Sequence, residues 1–197
     1  FVPNGLSLDF PKNKNHAYEA AKAFGAFQAN LVDLPSPPLT ETISHFHNTR
    51  KRFESFLGLV KEDPRNRSRR VVDLIEFAQR RECLTEAISV NSFTLRIVHN
   101  DTKLNNLLIH EKTGKGICVL DLDTVMPGCV LHDFGDLART ASCSADEDEV
   151  DLKKVSFLPT IFEAVVRGYL ESTECLLNAK ERETLHLAPQ VITFELG

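Results

Sequence analysis

His99, Asp101, Lys103 and Asn106 fall within eight consecutive positions, and Asp121 follows fifteen residues after Asn106, with Asp123 two further on. Transfer of a phosphoryl group needs a carboxylate to orient an attacking hydroxyl and oxygen ligands for a hard cation. Asp101 has the side chain for the first task, and Asn106 and Asp121 have those for the second. Lys103, two residues beyond Asp101, would meet the negative charge of the transferred group. His99 is read as bracing the turn rather than doing chemistry.

Spacing makes this more than a collection of polar residues. His99 to Asn106 spell H-x-D-x-K-x-x-N, the pattern of a kinase catalytic loop. There the aspartate orients the hydroxyl proton and the asparagine five residues later binds metal. The apolar run Ile117-Cys118-Val119-Leu120 then ends in Asp121. Thr113-Gly114 between these stretches is a hairpin-type turn. As a two-residue turn it would set Asn106 opposite Asp121, with Cβ atoms about 4.5–5.5 Å apart, where they could share one Mg²⁺. A longer loop using Gly116 would slide that pairing. The blander reading is a turn rich in Asp and Asn because those residues favour turns. Asp133-Phe134-Gly135 also spells the kinase D-F-G, but it follows a Pro-Gly loop rather than an apolar strand. The metal is therefore assigned to Asp121, and Asp133 is read as a helix cap. Asp123 is either a second ligand or a hydrogen-bond anchor.

Two other chemistries compete. Asp121-Leu122-Asp123-Thr124-Val125 matches the D-x-D-x-[TV] motif of haloacid-dehalogenase-type phosphatases, with Asp121 as nucleophile and Asp123 as acid/base. That fold needs further parallel strands, only 74 residues follow Asp123, and His99 to Asn106 would go unexplained. A glycosyltransferase D-x-D would need a preceding βαβ pattern, which is not visible. His45 and His47 lack a third ligand at useful spacing and are read as loop histidines. Arg139 either reaches the site or pairs with Asp136, and the acidic residues 146–151 are read as a solvated patch.

The elements that must carry these residues follow from periodicity. Ala17, Ala21, Phe24, Phe27 and Leu31 recur at helical spacing and predict a helix over 15–34, stopped by Pro35-Ser36-Pro37-Pro38. A second helix is predicted over 49–61 with Phe53, Phe56, Leu57 and Val60 inward. A third is predicted over 69–89 through Val72, Ile75, Phe77 and Cys83. Residues 95–98 read as a strand, the hairpin follows, and 126–128 read as a loop. Helices are expected from 133 to 141, 160 to 177 and 179 to 186. Residues 1–13 read as a loop. The 197-residue chain is 42% hydrophobic, enough for a core in one domain or one large lobe. Its net charge of −5 argues against a nucleic-acid partner or an acidic membrane. No apolar run nears the roughly 20 residues that span a bilayer, and no secretory leader is visible. Five scattered cysteines without a C-x-x-C pair suggest a reduced, cytoplasmic setting rather than zinc or disulfides.

These motifs resemble the aminoglycoside-phosphotransferase and choline-kinase superfamily. His99-Asn100-Asp101-Thr102-Lys103-Leu104-Asn105-Asn106 and Val119 to Gly128 look closest to its N-acetylhexosamine 1-kinase branch, as do Phe46-His47-Asn48-Thr49 and Arg52-Phe53. The resemblance implies an α+β, mainly helical fold: a protein-kinase-like C-terminal lobe around a small central β hairpin. It implies Asp101 as base, Asn106 and Asp121 on Mg²⁺, ATP as phosphate donor and the anomeric hydroxyl of an N-acetylhexosamine as acceptor. Residues 1–13 would be a post-hinge segment or linker, and 14–197 the lobe, its C-terminus open to truncation. No G-x-G-x-x-G and no V-A-I-K-like strand precede the first helix. The partner that grips ATP is then expected to be an N-terminal lobe of the same protein, and this lobe alone is expected to be inactive. A non-catalytic kinase-like binding module is the remaining alternative.

Overall fold

The computed structural model describes residues 2–35 and 39–197. In chain order the elements are β1 (Gly5–Leu6), α1 (Lys14–Asn30), α2 (Thr49–Glu62), α3 (Val72–Gln79), β2 (Leu95–Val98), β3 (Leu107–His110), β4 (Gly116–Val119), β5 (Met126–Cys129), α4 (Val130–Ala141), α5 (Pro159–Ser172), α6 (Ala179–Thr184) and α7 (Ala188–Leu196). The architecture is α+β and mainly helical. One antiparallel sheet has the order β1-β3-β4, and a second pairs β2 with β5.

Helix α4 is the centre of the molecule. Ten of its twelve residues are buried, so it must be covered on every side. Val130, Leu131, Phe134, Leu137, Ala138 and Ala141 supply its apolar surface. α1 lies along α5 and α7 lies along α4. Ala17, Ala20, Ala21 and Phe24 face inward from α1. The helices approach closely because glycines sit where they meet. A Cβ on Gly168 of α5 would run into the Tyr18 backbone carbonyl, and one on Gly135 of α4 would lie 2.6 Å from the Ala188 carbonyl oxygen. Asn13 and Asn48 cap α1 and α2 by accepting from His16 N–H and Lys51 N–H. Buried Glu181 completes a capping box on α6 and takes the Arg96 guanidinium at 2.6 Å, tying the C-terminal helices to β2.

Several expectations change. The hairpin register is Leu107↔Val119 and Leu108↔Cys118, then shifts to Ile109↔Gly116. Its loop is longer than two residues: His110 N–H donates to Lys115 O, Gly114 N–H donates to His110 O, and Gly114 takes φ 68. The pairing therefore slides by one, and Asn106 faces Leu120 rather than Asp121. The Leu120 N–H donates to Asn106 O at 2.8 Å. Residues 126–128 are not a loop but part of β5, where Pro127 opposes Ile97 on a two-stranded sheet that tolerates its missing N–H. Gly5 and Leu6, within the segment read as loop, pair with His110 and Ile109.

The third helix breaks into a 3₁₀ turn at Ser68–Arg70, α3, and a second turn at Glu82–Glu86. No residue of α3 is buried, and Val72, Phe77 and Cys83 are exposed. A short helix needs a packed face to persist, and α3 has little to lie against. α1 ends at Asn30, short of the proline stop, whose residues 36–38 lie outside the described ones. α7 carries the helical structure beyond residue 186. The strand before Asp121 is antiparallel to its neighbour, against the parallel sheet a haloacid-dehalogenase-type phosphatase requires. No helix among the described residues is long and apolar enough to cross a membrane.

The glycine contacts give a paired test. Gly168→Ala should cost about 1–3 kcal/mol in denaturant unfolding, because the new methyl meets backbone. Gly58→Ala, with nothing within 4 Å of its Cβ position on exposed α2, should gain up to about 1 kcal/mol. A Gly168 variant as stable as wild type would contradict this account of the α1–α5 contact.

Candidate active site

The site is built around a reversal of the chain after β2. Asn100 adopts φ 67, a left-handed conformation that asparagine tolerates better than most residues. The reversal lets two successive N–H groups converge on one carboxylate. His99 N–H donates to Asp133 Oδ2 at 2.9 Å and Asn100 N–H donates to Oδ1 at 2.7 Å. Gln28 Nε2 adds a third bond to Oδ2 at 2.7 Å. Thr102 Oγ1 donates to the Asp133 carbonyl at 2.6 Å. Asp133 lies inside the first turn of α4 and does not cap it. The cap position is Cys129, which has no side-chain bond to the helix. Burial pushes the Asp133 carboxyl up, and the His99, Asn100 and Gln28 donors oppose that push.

His99 closes the other side of the loop. Its Nε2–H donates to Leu120 O at 2.8 Å, while Nδ1 accepts from Asp101 N–H at 3.3 Å. That pattern makes Nε2 the donor and Nδ1 the acceptor of the ring. The Phe24 and Phe27 rings meet it edge-on at 5.4 and 5.7 Å. Thr124 Oγ1 donates to His99 O at 2.7 Å, and Asn100 Nδ2 donates to Thr124 O at 3.0 Å. The catalytic-loop candidate is thus stitched to α4 on one side and to residues 120–124 on the other.

Within this frame Asp101 is half-buried, its side chain 32% exposed, so a ligand can reach it. Asn106 Nδ2 donates to both Asp101 O at 2.8 Å and Asp101 Oδ2 at 2.9 Å. The amide nitrogen is therefore engaged, and Oδ1 is the Asn106 atom available to a cation. Lys103 Nζ stands 3.6 Å from Asp101 Oδ1 and 3.5 Å from Glu147 Oε2. Burial alone would lower its pKa, but Asp101 and Glu147 outweigh it and the ammonium is held above its ordinary value. Glu147 also takes Arg139 at 2.6 Å, and Arg139 pairs with Asp136 at 2.8 Å. Charges alternate from Asp136 through Arg139, Glu147 and Lys103 to Asp101. Arg139 thus both pairs with Asp136 and reaches the site indirectly. Glu147 is more than part of a solvated acidic patch.

Asp121 and Asp123 stand at the end of β4. Asp121 takes φ 57 and is exposed. Asp123 pushes its carboxyl above the ordinary value, with burial and Asp101 adding to the push. Mutual repulsion among carboxylates is the condition a bound cation relieves. Among the described residues no group of three or more His, Cys, Asp or Glu is arranged to hold a metal. A hard cation here would take the Asn106 amide oxygen, the Asp121 carboxylate and oxygens from substrate and water, a donor set that suits Mg²⁺. Asp123 stands beside Asp121 rather than apart from it.

His47 does not join this group. Its Nδ1 lies 2.9 Å from Glu195 of α7, and its ring lies 4.7 Å from that of His132. Sequence reasoning missed Gln28, Glu147, Tyr169 and His132. Gln28 left one signal: it continues the Ala17, Ala21, Phe24 stripe, so a polar residue lies on the buried face of α1.

A sequence model of the phosphotransferase enzyme family (APH) matches residues 5–170. Among solved structures, the crystal structure of an aminoglycoside-3'-phosphotransferase of type VIII aligns with a TM-score of 0.49 at 15% identity. The alignment covers 97% of this chain and 66% of that one, so this chain spans just under two thirds of that protein's length.

Two outcomes follow from the buried groups. Asp133→Asn would turn an NH₂ toward N–H donors and should cost about 1–3 kcal/mol or more in urea unfolding; wild-type stability would contradict the role given to Asp133. Burial, reinforced by His47, holds the His132 imidazole well below its ordinary pKa. The unfolded chain takes up that proton near pH about 6.5 and the folded chain refuses it, so this stability is full above that pH and is lost as pH falls. His132→Leu should flatten the decline in melting temperature between pH 7 and 5. Parallel curves for the two proteins would contradict this.

Proposed function

We propose, from the premise that the chain belongs to the phosphotransferase enzyme family, that it carries the acceptor and metal half of a small-molecule kinase. The observation that carries the reading is the grip on Asp101: Asn106 bonds both its carbonyl and its carboxylate, inside a loop fixed by Asp133. Asp101 takes the proton of the acceptor hydroxyl as that oxygen bonds to phosphorus. The bond from the γ-phosphorus of ATP to the bridging oxygen breaks, and ADP leaves. Lys103 meets the transferred phosphoryl group, exchanging its contact with Glu147 for one with phosphate oxygens. Asn106 and Asp121 would hold Mg²⁺, which would supply charge neutralisation to the phosphates. Asp123 keeps Asp121 in an anionic field that favours a cation.

The acceptor in this reading is the anomeric hydroxyl of an N-acetylhexosamine, supported by the H-N-D-T-K-L-N-N and V-L-D-L-D-T-V-M-P-G runs. The adenine pocket and phosphate lysine are assigned to an N-terminal lobe of the same protein. The cysteines are all unpaired, in keeping with a reduced, cytoplasmic setting.

The full-length protein with ATP, Mg²⁺ and N-acetylglucosamine or N-acetylgalactosamine should release ADP and the sugar 1-phosphate. Asp101→Asn should lower kcat by about 10²–10⁴ with an unchanged melting temperature. Phosphorylation of other small alcohols but not of hexosamines would remove the sugar assignment and keep the kinase. Absence of any transfer would favour the binding module, and an Asp101 variant with normal turnover would remove the base.

A further inference from the structure

Gln28 is fully buried on α1, with Asp133 of α4 on one side and Tyr169 of α5 on the other. The Tyr169 hydroxyl lies 2.6 Å from Gln28 Oε1 and 3.1 Å from Val130 O, and the shorter contact takes its proton. Gln28 Nε2 donates to Asp133 Oδ2 at 2.7 Å. All three side chains are at most 1% exposed, so water cannot substitute for any of these bonds.

The relay has one permitted direction. A hydroxyl donor sits at one end of the amide and a carboxylate that already accepts two backbone N–H groups sits at the other. Turning the amide over would press Oε1 against Asp133 and leave Nε2 facing a hydroxyl. The Asp133 carboxylate therefore decides which end of Gln28 faces it, and the Tyr169 hydroxyl supplies the proton that Oε1 accepts at the other end. With Nε2 in place, Asp133 has three N–H donors for a buried charge that has no cation in contact among the described residues. A neutral carboxyl would turn one oxygen into a donor and hold the loop N–H groups less firmly.

We propose that Gln28, with its amide oxygen held by the Tyr169 hydroxyl, is a positioning residue for Asp101: it keeps Asp133 an acceptor on both oxygens and so fixes the loop on which Asp101 stands. Helices α1 and α5 thereby help to set the geometry of a group neither of them touches. The inference rests on the reading of Asp101 as base.

The test compares Gln28→Leu and Tyr169→Phe with wild type in the full-length protein. Turnover, normalised to the folded fraction, should fall about ten- to hundredfold in Gln28→Leu, the scale of a lost hydrogen bond to a charged group. KM for ATP and for the acceptor should stay within about twofold, the pattern of an interaction made in the transition state. Tyr169→Phe leaves Gln28 Oε1 without its donor, loosens the amide against Asp133 and should shift kcat in the same direction by a smaller factor. It also supplies the measurement if Gln28→Leu fails to fold. Hydrogen exchange gives a readout independent of activity: the His99 and Asn100 amides should exchange at least about tenfold faster in either variant, relative to amides in α4. Unchanged kcat per folded molecule with only a lower melting temperature would overturn the proposal, as would unchanged exchange at those two amides. If the wild type phosphorylates no acceptor, the proposed function falls, and exchange at His99 and Asn100 still decides whether the relay holds the loop.

Discussion

Asp133 is a carboxylate buried to 1% exposure, and three N–H donors on its two oxygens hold it in place of a cation. Such a group is expensive to bury unless every lone-pair direction that matters is met. Meeting them requires that the chain after β2 turn back on itself, with Asn100 in a left-handed conformation so that successive N–H groups face the same way. The loop carrying Asp101 is therefore shaped by the needs of a residue that takes no part in the chemistry. α4 can present Asp133 at that depth because it is covered by α1, α5 and α7. The close helix contacts at Gly135 and Gly168 are part of the same requirement.

From this anchor the electrostatics grade outward. Buried Asp133 is met by N–H donors alone. Asp101, half-exposed, is met by the Asn106 amide and at longer range by Lys103. Lys103 lies between two carboxylates, and Glu147 hands the charge on to Arg139 and Asp136. Asp121 and Asp123, at the end of β4, repel each other. Under the proposed function, fixed dipoles inside and exposed carboxylates at the edge would form a gradient that receives a charged phosphate and its metal. The Lys103 pairs with Asp101 and Glu147 are partly exposed and weak, which lets incoming groups replace them at little cost, whereas the Arg139–Asp136 pair is largely buried.

What the sequence showed about the site was what lies close along the chain. His99, Asp101, Lys103 and Asn106 act within one turn, so their spacing was enough to group them. α1 and α2 were legible because each has a regular apolar stripe. The strand before Asp121 was legible as an apolar run, but its register was not. A longer loop with Gly114 at φ 68 and an irregularity after Leu108 shifted the pairing by one, and no side-chain periodicity encodes that. The pairing of β2 with β5 and of β1 with β3 joins segments far apart in sequence. Asp133 was mistaken for a cap for the same reason: its partners are 33 and 34 residues away. Residues 69–89 were overcounted as one helix because Val72–Gln79 has no buried face, while Thr85 and Ile88 reach the core only after that helix has ended.

Phosphoryl transfer at this site is tested most directly by a structure of the full-length protein with Mg²⁺, a non-hydrolysable ATP analogue and an N-acetylhexosamine. The account predicts the acceptor hydroxyl hydrogen-bonded to Asp101, Lys103 on the γ-phosphate in place of Glu147, and the metal coordinated by the Asn106 amide oxygen and Asp121. A metal or γ-phosphate bound away from Asn106 and Asp121, or an acceptor hydroxyl facing a residue other than Asp101, would contradict it.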